Sequence, residues 1–93
     1  MAHETAATPA AVVPVEIRDF ILERFPLARK KTLSDTDLLL ENGILDSLGI
    51  LDLVAFLEQR YCFAVSDEDL IPDHFKTIQQ ISVFVHRKVN GSN

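Results

Sequence analysis

A chain of 93 residues, 47% hydrophobic and 25% charged, closes one hydrophobic core and no more. Three glycines, four prolines and one cysteine argue against a turn-rich β-sandwich, an internal disulfide framework or a zinc site of several thiolates. The net charge of −5 is concentrated between Asp35 and Asp73, where ten acidic side chains face a single base, Arg60, which argues against nucleic acid as a partner.

No apolar run approaches the roughly 18 residues that span a bilayer, so no membrane insertion is expected. Residues 1–11 lack the basic start and long apolar stretch of a secretory signal, and a cytoplasmic address follows. The Ala/Thr-rich start, residues 1–12, is expected to be a disordered tail ahead of one domain over 13–89, with 90–93 as a loose end.

Within the domain, Pro14 suits the first position of a helix. Val13, Ile17, Phe20 and Ile21 then recur at helical spacing up to Phe25-Pro26. Arg29-Lys30-Lys31 reads as a solvated loop. A long connection over 32–46 carries turn chemistry at Thr32-Leu33-Ser34-Asp35 and Glu41-Asn42-Gly43, and Leu38-Leu39-Leu40 supply the apolar anchors that would pin it. Gly43 is expected to take a backbone angle other residues resist. Asp46 or Ser47 opens a second helix running to about Tyr61. Ser66-Asp67-Glu68-Asp69 looks like the cap and first turn of a short third helix that Pro72 interrupts. Thr77 caps a last helix with Ile78, Ile81, Phe84 and Val85 at helical spacing, closed by Asn90-Gly91. The fold class is all-α: three main helices, one short helix and a long first loop.

The helix after Ser47 has two apolar faces when its residues are set at 100° intervals. Ile50, Leu53, Val54, Leu57 and Tyr61 form a core stripe. Leu48, Leu51 and Ala55 form a second group beside Ser47, with Glu58 on the Ser47 edge and Asp52 and Gln59 on the other. That group either packs beneath the long loop or docks a partner with basic and apolar features. The acids equally serve as a soluble surface or as steering charge. Phe56 falls on neither face and is expected against the short third helix. Cys62, between Tyr61 and Phe63, reads as a small buried residue. A serine at a helix start commonly caps it and does nothing more. His3 lies in the tail, and His74 and His86 have no acid at an orienting spacing, so no catalytic constellation and no enzyme activity of its own are expected.

The segment Glu41-Asn42-Gly43-Ile44-Leu45-Asp46-Ser47-Leu48-Gly49, followed by Leu53-Val54-Ala55-Phe56-Leu57-Glu58, resembles the acyl, peptidyl and D-alanyl carrier proteins. Phe75-Lys76-Thr77-Ile78 with Ile81 and Phe84 is similar to that family's closing helix, and the resemblance covers about residues 14–88. It implies a four-helix carrier bundle with a covalent 4′-phosphopantetheine arm on Ser47. Asp46 would then help a phosphopantetheinyl transferase align a metal-bound coenzyme A. Leu48, Leu51, Asp52, Ala55 and Glu58 would form the partner-docking face. The implied protein is a monomeric, discrete carrier holding an acyl or aminoacyl cargo as a thioester, charged by a ligase and read by downstream transferases. Gly49 and Gln59 stand where fatty-acid carriers often have acids. The stretch Asn42 to Gly49 is more similar to D-alanyl carriers and small carriers of amino acids. The competing reading is a helical adaptor that recruits a partner without a prosthetic group.

Overall fold

The computed structural model describes residues 12–30 and 32–90. The expected tail, and the closing stretch beyond Asn90, lie outside the described residues apart from Val12. Three α-helices, joined by three 3-10 turns, build the domain, and no strand occurs among the described residues.

Helix α1, Val12–Arg24, buries Val13, Ile17, Phe20 and Ile21, the four residues whose spacing marks its inner stripe. Pro14 is its third described residue rather than its first, still within the turn where a missing N–H costs nothing. Past Phe25 the chain tightens into a 3-10 turn over Pro26–Lys30 that buries Ala28. Arg29 and Lys30 are exposed, as a solvated segment requires, and Arg29 also closes the end of α1. Its guanidinium donates to the carbonyls of Leu22 at 2.5 Å and Glu23 at 2.8 Å, filling acceptors that the end of α1 leaves open. Lys31 lies outside the described residues.

The connection over 32–46 is pinned twice. Leu33, Leu39, Ile44 and Leu45 are buried, so the Ile44-Leu45 pair anchors the loop as much as the leucine run does. Its backbone is also stitched to the far end of the chain: Leu39 N–H donates to Lys76 O, and Gln79 N–H donates to Asp35 O, both at 2.9 Å. The Leu39 carbonyl accepts from both Ile44 and Leu45, and Gly43, at φ +75°, makes that reversal possible.

Helix α2, Ser47–Tyr61, buries Leu53, Val54, Leu57 and Tyr61, with Ile50 half-buried on the same stripe. Phe56 does not go to the short acidic segment. It stacks on Phe20 of α1, ring centroids 4.4 Å apart and planes 16° from parallel, and meets Tyr61 edge-on. Helix α2 ends on Cys62, whose φ of 59° is left-handed and whose N–H closes on Glu58 O at 3.0 Å. Cys62 is exposed, not buried, because a residue that turns the chain out of a helix projects away from the core.

The short third helix forms as two 3-10 turns, Asp67–Asp69 and Pro72–Phe75. Ser66 and Asp69 make a reciprocal capping box over the first. Pro72 then forces the preceding Ile71 to extended angles, φ −110° and ψ 146°, which breaks any continuous helix. Helix α3, Ile78–Val89, starts on Thr77, whose hydroxyl accepts from Gln80 N–H at 3.0 Å. It buries Ile78, Ile81, Phe84 and Val85. Phe84 centres an aromatic group with Phe63, Phe75 and His74, the last stacked on it at 4.8 Å. Helices α1 and α3 pack against each other, and α2 joins them across the same core.

Candidate functional site

At the start of α2 local structure leaves a serine hydroxyl open. Asp46, not Ser47, caps the helix: its Oδ1 accepts the Gly49 N–H at 2.7 Å, and its carbonyl accepts the Ile50 N–H at 2.9 Å. Ser47 is therefore the first helical residue. Its side chain is exposed, and its hydroxyl makes no hydrogen bond among the described residues. The N–H groups of Ser47 and Leu48 are first-turn donors that lie beyond reach of intrahelical carbonyls. They sit at the positive end of a 15-residue helix.

The geometry depends on a residue far away in sequence. A β-carbon on Gly49 would come within 2.9 Å of Cε1 of Phe25, 3.2 Å of Asp46 Oδ1 and 3.3 Å of Leu45. Gly49 lets the end of α1 press against the first turn of α2, which orients Asp46 and so presents Ser47. Nothing in the local pattern around Asp46-Ser47 signals Phe25.

Beside Ser47, the second apolar face is open to solvent. Leu48 is 75% exposed and Leu51 56%, and Ala55 is exposed with them, so this face does not pack beneath the long loop. The acids around it differ in what holds them. Asp46 serves as the cap. Asp52 accepts from the Arg24 guanidinium at 3.0 Å, a pairing across 28 positions. Glu58 is half-buried and accepts the Val65 N–H at 2.8 Å, so it braces the chain after α2. The wider acidic excess is likewise partly answered from within: Arg18 pairs with Asp35, and Lys88 with Asp69 at 2.7 Å.

The remaining candidates for chemistry lie elsewhere. His74 Nδ1–H donates to Asp69 O at 2.9 Å, and Arg87 donates to its Nε2 at 3.4 Å, so both ring nitrogens are engaged on the side of α3. Among the described residues no group of three or more His, Cys, Asp or Glu could hold a metal ion. No described helix is long and apolar enough to cross a membrane.

The fold and this helix start define an all-helical domain that displays a free serine hydroxyl next to an exposed apolar face. No family model matches the chain, and no curated protein matches it significantly.

Proposed function

We propose that the chain is a carrier domain whose Ser47 hydroxyl is the attachment point of a 4′-phosphopantetheine arm. The single observation that supports this most is the division of labour at the head of α2: Asp46 caps, leaving Ser47 exposed and unbonded among the described residues. The residues present fit such a group. A phosphodiester on Ser47 belongs beside the two unfilled first-turn amides at the positive end of the helix. When bound, the arm supplies a terminal thiol able to hold an acyl or aminoacyl cargo as a thioester. The protein's own part is to present the serine, keep its first turn rigid through the Gly49–Phe25 contact, and offer Leu48, Leu51 and Ala55 to the enzymes that visit. Asp46, next to the hydroxyl, is the residue available to align a metal-bound coenzyme A in the transferase. In this reading the carrier is cytoplasmic, and it works as a monomer with a phosphopantetheinyl transferase, a cargo ligase and downstream transferases.

Incubation with coenzyme A and promiscuous phosphopantetheinyl transferases is expected to add the mass of one arm, measured on the intact protein. Ser47→Ala abolishes the gain. If the wild-type chain gains no mass with several transferases, the carrier reading fails and the adaptor reading replaces it. An adaptor would keep its partner and its function in Ser47→Ala.

A further inference from the structure

The two edges of the exposed α2 face are not electrostatically alike. On the Ser47 edge, Asp46 and Glu58 each bind one backbone amide and have no basic partner among the contacts described for them. On the edge toward α1, Asp52 is covered by Arg24, with both side chains about half exposed, at 54% and 53%. Asp52 is not the only thing holding Arg24 there. The guanidinium carbon lies 5.2 Å from the centre of the Phe20 ring, and Phe20 is stacked on Phe56, one turn along α2 from Asp52. The aromatic pair gives the arginine a platform, so it is seated over this edge before any visitor arrives. A lysine or arginine from a partner would have to displace a cation already in place.

We propose that Arg24 masks Asp52 and thereby decides what docks on α2. The face fits an enzyme surface that covers Leu48, Leu51 and Ala55 with apolar side chains, carries its basic groups on the Ser47 edge, and places none opposite Asp52. This rests on the carrier reading, since it names the chemistry of the enzymes that reach Ser47.

Initial rates of arm loading by one basic phosphopantetheinyl transferase, read by intact mass, test it. Rates are compared at low and high salt for wild type, Arg24→Ala and Arg24→Ala with Asp52→Asn. Baring Asp52 is expected to raise the low-salt rate of Arg24→Ala about threefold or more, and the gain should vanish near 0.5 M salt, where screening is nearly complete at about 4 Å. Adding Asp52→Asn returns the salt dependence to that of wild type. Circular dichroism establishes that each variant is folded. If folded Arg24→Ala loads like wild type at both salts, or more slowly at low salt, Arg24 masks nothing or is itself contacted, and the proposal is overturned. A wild-type chain that takes up no arm at all overturns the carrier reading first, and the wild-type control separates that failure from the others.

Discussion

The hydroxyl of Tyr61 donates to Oε1 of Glu16 at 2.6 Å, joining the last turn of α2 to the first turns of α1 across 45 positions of sequence. The other oxygen of the same carboxylate accepts from Arg60. One buried-edge carboxylate thus gathers two donors from consecutive residues, and the Phe20–Phe56 stack closes over the same interface.

Removing either side of this bond has unequal cost. Tyr61→Phe deletes the donor and leaves Glu16 with Arg60, which should lower stability by about 1 kcal/mol. Glu16→Ala leaves a largely buried phenol without an acceptor, which should cost about 2 kcal/mol. Urea denaturation ranks the two, and equal midpoints would show the bond to be incidental. Burial first, and then the Glu16 hydrogen bond, raise the Tyr61 hydroxyl well above the ordinary value of about 10. The folded state therefore holds this proton more tightly than the unfolded chain does. Its contribution is full below about pH 10 and is lost as pH climbs further, so the stability gap between wild type and Tyr61→Phe should shrink in that range.

For Asp69 the sign reverses. The ammonium of Lys88, with the Ser66 backbone and hydroxyl behind it, lowers the Asp69 carboxyl to about 2. Its stabilisation is present above about pH 4 and fades as pH falls toward the folded value. Asp69→Asn should be less stable than wild type at neutral pH and lose less on acidification. Urea midpoints at neutral pH and near pH 2.5 measure this; parallel acid losses in the two proteins would rule out Asp69 as a contributor.

Gly49→Ala tests whether the close approach of Phe25 shapes the site. Alanine improves helix propensity by about 1 kcal/mol. Overpacking against Phe25 and Leu45 costs about 1–3 kcal/mol, so a net loss is expected. The added methyl also crowds Asp46 Oδ1, so loading of Ser47 should slow even where the domain remains folded. A variant more stable than wild type would mean that Phe25 moves aside freely.

Leu51→Asp and Leu53→Asp place the same charge two residues apart on opposite faces of α2. Leu51 is 56% exposed and Leu53 fully buried. Leu51→Asp should keep its helical circular dichroism and lose loading, whereas Leu53→Asp should unfold by burying an unpaired carboxylate. The reverse pattern would invert the assignment of the two faces.

How much of this was legible depends on how far apart the cooperating residues lie. The inner stripes of α1 and α3, the Thr77 cap and the positive angle at Gly43 follow from local spacing and turn chemistry, and each occurs where that chemistry points. The two faces of α2 separate on a helical wheel for the same reason. Long-range pairings leave no local trace. Arg24 on Asp52, Phe25 against Gly49 and Phe56 on Phe20 link segments whose approach is decided by core packing. Arg29 and Glu58 also serve backbone groups that their local sequence does not reveal. The acidic stretch at 66–75 went to 3-10 turns because the angles required before Pro72 outweigh a good helical cap.

The left-handed turn at Cys62 bears on how the protein can be assayed. Glycine is the residue that usually occupies such a position, and Cys62→Gly would relieve about 1 kcal/mol of backbone cost. It would return a similar amount as chain entropy, so the fold should tolerate the exchange. Cys62 is also the only cysteine in the sequence. The variant would contain no sulfhydryl of its own, and any that a maleimide dye then detected would have been put there by an enzyme.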